Sequence, residues 1–177
     1  MSRVLIPEQT VDFRVYHGGT DLIGVATIDM PELSYMTETI SGAGVAGEIE
    51  NPTVGMTESS TMTMTFNSIQ EEAFNSLDWT QNNLFECYAS LQVTDSATGL
   101  RTTVPYRISA LGRAKTFPLG TWEPGKKQEN EVELEVTRLE VLYNNEEKLL
   151  VDKLAFIHRV NGTDLLATVR AQMGMNV

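Results

Sequence analysis

Apolar and polar residues alternate along most of this chain with a period of two, the spacing of a half-buried β-strand. The clearest case is 61–66, where Met62, Met64 and Phe66 share one face and Thr61, Thr63 and Thr65 the other. Segment 11–17 sets Val11, Phe13 and Val15 against Asp12 and Arg14. A Gly-Gly turn follows, which predicts a hairpin with a second strand over 22–30. Pro31 interrupts pairing and 33–40 continues extended. Further strands are predicted at 84–93, 100–111, 131–143 and 148–158, with turns at 95–99, 144–147 and 161–164 where Asn, Asp, Ser and Gly cluster. Segment 117–128 holds Pro118, Gly120, Pro124 and Gly125, too many breakers for regular structure.

Two segments depart from simple alternation. In 131–143 the apolar set is Val132, Leu134 and Val136, then Leu139, Val141 and Tyr143. A change of phase in a period-two element changes the inward face, which predicts a bulge near Thr137 and Arg138. In 68–77 the period is helical. Ser68 and Glu71 form a capping-box pattern, and Ile69, Ala73, Phe74 and Leu77 make an apolar stripe. A helix over 69–77 is therefore predicted, packed across the open face of a sheet. A short helical tail is expected over 165–173.

Gly42, Gly44 and Gly47 spell G-x-G-x-x-G within Ser41-Gly-Ala-Gly-Val-Ala-Gly-Glu48. That fingerprint serves dinucleotides when its glycines turn a strand into a helix whose first amides hold a pyrophosphate. Here Pro52 and Gly55 fall inside the first would-be turns, at a helix cost of about 3 and about 1 kcal/mol. No acid is placed about 20 residues on to hold a ribose. The motif is read as a loop connecting strands.

At 177 residues the chain suits a single domain, able to bury roughly 70% of its unfolded surface. The net charge of −11 argues against a grip on nucleic acid, which depends on Lys and Arg replacing counterions. It suits solubility, or a surface that repels a passing polyanion. Glu129, Glu131, Glu133 and Glu135 form a row facing away from the first apolar set of 131–143. Two readings stay open for that row: a solvated or edge face kept from aggregating, or an acidic lining. The lone Cys87, in an apolar context, reads as a core filler. With no signal-peptide pattern and no long apolar run, a cytoplasmic origin is expected. P-loop, nucleophile-elbow and zincin motifs are lacking, and His17 and His158 have no ligand cluster near them in sequence.

Taken in order, several segments resemble the major tail tube protein of contractile-tailed phages and phage-tail-like bacteriocins. They are Gly24-Val-Ala-Thr-Ile-Asp-Met-Pro-Glu-Leu33, the glycine loop 42–47, Leu111-Gly-Arg-Ala-Lys115, Gly120-Thr-Trp-Glu-Pro-Gly125, and Val160-Asn-Gly-Thr-Asp-Leu165 with Arg170 and Gly174 beyond it. The resemblance spans essentially the full chain, with longer polar insertions around 51–60 than in simpler members. It implies a mainly β fold: a small β-sandwich or partial barrel with one flanking α-helix. It further implies hexameric rings, stacked into a tube, in which each subunit gives strands to a continuous inner β-barrel. No catalysis, metal or cofactor is implied.

The partners implied are further copies of the chain, a contractile sheath, a tape measure, and baseplate and terminator proteins. DNA would pass through without specific binding, in a virion tail assembled in the host bacterial cytoplasm. On this reading the chain is one tail tube domain, 1–177, with an extended arm at about 31–60 and a short C-terminal tail at about 160–177. Gly42, Ala43, Gly44, Val45, Ala46 and Gly47 would be a subunit or ring-stacking contact. Glu131, Glu133 and Glu135 would contribute to an acidic lumen. The same architecture suits a bacteriocin, type VI-like or extracellular injection tube that delivers effectors. A soluble β-sandwich that binds a glycan or peptide is the remaining alternative.

Overall fold

The computed structural model describes residues 4–22, 24–42, 44, 46–81 and 83–175. In chain order the strands are β1 (Leu5–His17), β2 (Thr20–Asp21), β3 (Val25–Asp29), β4 (Tyr35–Ile40), β5 (Ile49–Thr57) and β6 (Thr61–Phe66). A 3-10 helix at Glu71–Leu77 comes next, followed by β7 (Leu84–Asp95), β8 (Arg101–Thr116), β9 (Asn130–Tyr143) and β10 (Glu146–Asp152). The chain then forms β11 (Ile157–Val160), β12 (Thr163–Asp164) and helix α1 (Ala167–Gln172). Ten strands make one antiparallel sheet ordered β12-β11-β10-β9-β8-β7-β1-β2, with β6 and then β3 branching from β9. The pair β4–β5 stands apart as a two-stranded hairpin. The fold is mainly β, and the sheet does not close into a barrel.

Strand β9 is the spine. Its first half pairs with β6, from Asn130↔Phe66 to Glu135↔Thr61. Its second half pairs with β10, from Arg138↔Asp152 to Tyr143↔Glu146. The hand-over falls at Thr137, which is skipped between the pairs Leu111↔Arg138 and Gly112↔Val136 with β8. The bulge expected from the change of phase is therefore present. Thr137 Oγ1 donates to the Leu111 carbonyl at 3.2 Å. Gly112 sits where a Cβ would lie 2.8 Å from the Glu135 carbonyl oxygen, a backbone atom that cannot step aside.

The bend brings the two limbs of the sheet over one core. Met62, Met64 and Phe66 of β6 and Val132, Leu134 and Val136 of β9 pack with Val15, Phe85, Cys87, Ile108 and Ala110. Fully burying such side chains contributes about 1.5–3 kcal/mol each. One polar network shares this interior. His17 stacks on Phe85 with ring centroids 4.4 Å apart, and its Nε2 lies 3.1 Å from Asn83 Oδ1. Asn83 Nδ2 in turn donates to the carbonyls of Ser76 and Asp78, each at 3.2 Å. Asn83 thus ties the end of the 3-10 helix to the sheet.

The turns at 144–147 and 161–164 form as expected, with Asn144, Asn145 and Asn161 at positive φ. Three local expectations are corrected. Strand β1 begins at Leu5 and pairs along its length with β7, not with 22–30. Only Tyr16 and His17 pair with β2, after which the chain crosses over so that β3 lies on β6. The 69–77 helix is a shorter 3-10 helix, not the flanking α-helix expected. Ser68 Oγ and Ile69 N both donate to Gln128 Oε1, at 3.3 and 3.2 Å, so the capping serine is engaged elsewhere. The tighter 3-10 turn buries Ala73 and Ser76 and leaves Phe74 and Leu77 partly exposed. Finally, 49–57, for which the sequence predicts no strand within the extended arm, is strand β5.

Candidate functional site

Three surfaces lie outside the core. The first is the β4–β5 hairpin. Its strands pair from Ile40↔Ile49 down to Tyr35↔Thr57, with a register shift that leaves several β5 residues unpaired near Gly55. Pro52 opposes Thr37 and is accommodated because β5 has a partner on one side only. Tyr35, Met36, Ile40, Ile49, Val54 and Met56 are all exposed, Val54 the most at 65%. Glu38, Glu48 and Glu50 make the hairpin acidic, and it carries no Lys or Arg. Such a pair of strands is marginally stable by itself.

At the tip lie the glycines of the loop 42–47. Gly42, Gly44 and Gly47 have φ of +144°, +96° and +132°, backbone states that L side chains rarely adopt, and a Cβ at any of them would meet nothing within 4 Å. Their need for glycine is conformational within the subunit and not a matter of crowding. No helix follows the motif; β5 does. Ala46 is exposed, while Ala43 and Val45 lie outside the described residues.

The second surface is the outer face of β6 and the first half of β9. Thr61, Thr63 and Thr65 lie opposite Glu135, Glu133 and Glu131, with the apolar partners of both strands turned to the core. Glu131 is exposed; Glu133 and Glu135 are half-buried. Glu133 accepts from Thr116 Oγ1 at 3.0 Å, and both oxygens of Glu135 accept from Ser59 Oγ at 2.9 and 2.8 Å. Arg113 on β8 is the cross-strand neighbour of Glu135, so the row meets a cation at one end. Successive carboxylates along β9 are about 7 Å apart, as alternate residues of a strand must be.

The third surface was not anticipated. On the opposite side of β1, β7 and β8 an open groove of about 760 Å³ is lined by Arg14, Tyr16, Tyr88, Pro105, Arg107 and Leu142. Tyr16 and Tyr88 meet edge to face at 5.6 Å, and the Arg107 guanidinium lies 5.8 Å from the centre of the Tyr88 ring. Arg14 is paired with Asp21 at 2.6 Å. The alternation of polar and apolar residues in 84–93 contained the outward Glu86 and Tyr88, but not the curvature that makes them line a groove.

Sheet edges complete the picture. Between Leu5 and Val15, β1 has β7 on one side and no strand on the other among the described residues, and β3 is paired on one side only. Free edges are rows of unsatisfied backbone donors and acceptors that natural sheets cover or pair. Chemistry on side chains is not supported here. Burial pushes the Cys87 thiol up to about 12, far from the thiolate a nucleophile needs. Among the described residues no group of three or more His, Cys, Asp or Glu is placed to hold a metal ion. No helix among them is long and apolar enough to cross a membrane.

The family model of phage tail tube protein FII matches residues 7–174. Among curated proteins none matches. Among solved structures, the sheath/tube terminator of PVC, an extracellular contractile injection system in the extended state, overlaps with a TM-score of 0.51 at 16% identity. That overlap covers 77% of this chain and 96% of the terminator, and it shows a shared fold. The sheath-tube complex of PVC in the extended state overlaps with a TM-score of 0.48 at 17% identity, covering 74% of this chain and 88% of the other.

Proposed function

Because the chain belongs to the phage tail tube protein FII family, we propose that it assembles as hexameric rings stacked into the tube of a contractile tail. Its role in the tail of a phage or phage-like particle is structural and not enzymatic. The observation that carries the assembly reading is the β4–β5 hairpin, which leaves Met36, Ile40, Ile49, Val54 and Met56 exposed to solvent. Burying that much apolar surface is the usual driving force for association. The free edge of β1 supports the reading further, since a neighbour's strand would satisfy its backbone groups and continue the sheet into an inter-subunit barrel.

In this proposal the whole chain, 1–177, is one assembly unit, with an arm at about 31–60 and a tail at about 160–177. The loop 42–47 makes the subunit or ring-stacking contact, where glycine's lack of a Cβ lets another backbone approach. Glu131, Glu133 and Glu135 contribute to an acidic lumen over which DNA slides without binding. Sheath, terminator, tape measure and baseplate proteins are the partners proposed, with assembly in the host cytoplasm. An injection-system tube that delivers effectors is the alternative; neighbouring genes for terminase and capsid, or their absence, separate the two.

Electron microscopy of the purified chain tests the assembly reading. Stacked six-fold rings are expected; a discrete monomer or dimer at high concentration would instead support a soluble binding module. The lumen assignment has its own test. Replacing Glu131, Glu133 and Glu135 together by Lys is expected to leave tubes intact and impair DNA ejection, and normal infectivity would refute it. A second reading, favoured by the concavity of the Tyr16–Tyr88–Arg107 groove, turns that face to the lumen. A density map of the tube distinguishes the two faces directly.

A further inference from the structure

The arm leaves the body against the C-terminal turn, and both of its strands touch that turn. Tyr35, the first residue of β4, stacks on His158 with ring centroids 5.6 Å apart and planes inclined by 24°. The Tyr35 hydroxyl lies 3.2 Å from His158 Nε2. His158 is wholly buried and its Nδ1 has no partner, so the ring's one hydrogen bond among the described residues is to the arm. On β5, Gly55 has φ +68°, and a Cβ there would fall 2.5 Å from Leu166 Cδ2.

Leu166 is itself buried and rides on a turn that is firmly tied. The Asp164 carboxylate accepts from Leu166 N at 3.0 Å and from Arg170 Nη2 at 2.6 Å. Arg170 Nη1 donates to the Phe156 carbonyl at 2.7 Å, and Leu165 N donates to the His158 carbonyl at 2.8 Å. This ion pair is a fixed part of the turn rather than a loose surface contact, because its backbone bonds hold both partners in register.

We infer that residues 158–170 form a seat that aims the arm, with His158 receiving Tyr35 from one strand and Leu166 receiving the bare backbone of Gly55 from the other. The inference rests on the tube reading and deepens it: these four are positioning residues for assembly, not contacts with a neighbour. An isolated two-stranded hairpin is soft in direction. One anchor would leave it free to swivel, whereas one on each strand fixes both its direction and its roll. A neighbour then meets an arm already oriented and does not bear the cost of ordering it.

Full-length Tyr35→Phe/Leu166→Ala tests the seat by hydrogen–deuterium exchange and by the concentration at which tubes appear. The amides of β4 and β5 are expected to exchange at least about tenfold faster while those of β7 and β8 keep their protection. Tubes are expected to need at least about tenfold more subunit, as an arm that is only fractionally oriented binds more weakly by that fraction. Tyr35 with Leu166→Met, which refills the seat, should behave as wild type. Unchanged exchange in the arm overturns the inference, and so does a loosened arm that still assembles at the wild-type concentration. If the double variant loosens throughout, Tyr35→Phe alone, which removes one hydroxyl, must still loosen the arm and spare the body; failure to do so is equally decisive. If wild type itself forms no tubes, the tube reading fails, and the exchange data alone decide the seat.

Discussion

The body and the arm of this subunit are built from the same kind of strand and stand in opposite relations to solvent. In the body, Met62, Met64, Phe66, Val132, Leu134 and Val136 are almost completely buried, each held by partners within the chain. In the arm, Met36, Ile40, Ile49, Val54 and Met56 stay exposed, from 40% at Met56 to 65% at Val54. On the proposed assembly, the body's side chains act on the stability of the subunit, and the arm's act on what the subunit joins. Substitutions should separate along that line.

The largest effect on folding is expected in the body at the spine. Leu134→Ala should lower unfolding free energy by about 2–5 kcal/mol in urea denaturation, the range for emptying a close-packed site. A loss below 1 kcal/mol would show that the folded-over sheet relaxes around β9 and is not the rigid core described. Next comes Gly112→Val at the bulge. With the Glu135 carbonyl oxygen 2.8 Å from the first added carbon, about 1–3 kcal/mol should be lost, measured the same way.

A smaller effect is set by pH. Burial holds His17 below its ordinary value of 6.5, with the Asn83 bond opposing that shift in part. A histidine whose folded pKa is depressed contributes stability above 6.5 and loses it as pH falls toward the folded value. Thermal denaturation should therefore show stability dropping between pH 7 and 5.5, with the slope reduced in His17→Gln. The smallest folding effect belongs to the arm. Ile49→Ala should change body stability by no more than about 0.5 kcal/mol, and Gly44→Val, which strains the loop at φ +96°, should confine its cost to the arm; both should shorten or abolish tubes in electron micrographs. Either variant melting like Leu134→Ala would erase the distinction between the two regions.

The same division marks what was legible in the sequence. Body strands could be read because one face is dry: the Met62-Met64-Phe66 alternation is buried at every second residue, and the change of phase in β9 located the bulge at Thr137. Asn-rich turns at 144–145 and 161 also reported their own positive φ. What failed was pairing between segments distant in sequence. Nothing in 11–30 distinguishes β1 paired with 22–30 from β1 paired with β7. In the arm, Pro52 and Gly55 read as breakers. In a hairpin with no third strand, proline's missing donor costs nothing, and Gly55 answers to Leu166, more than a hundred residues away. The glycine loop could be placed between strands because its breakers act locally. The direction in which it is held could not, because that depends on His158 and Leu166.

The pairing of β1 with β7 also sets a clock. Leu5 pairs with Asp95 and His17 with Phe85, so at about 5–20 residues per second of synthesis β1 waits several seconds for its partner. The β4–β5 hairpin closes on sequence-local contacts, and hairpins form in about 1–10 μs. On the proposed assembly the joining element thus forms transiently, marginally stable alone, well before the body and the 158–170 seat that must hold it, and its apolar side chains are exposed while the sheet is unfinished. On that reading, slower initiation on each message should favour intramolecular closure over premature encounter between chains.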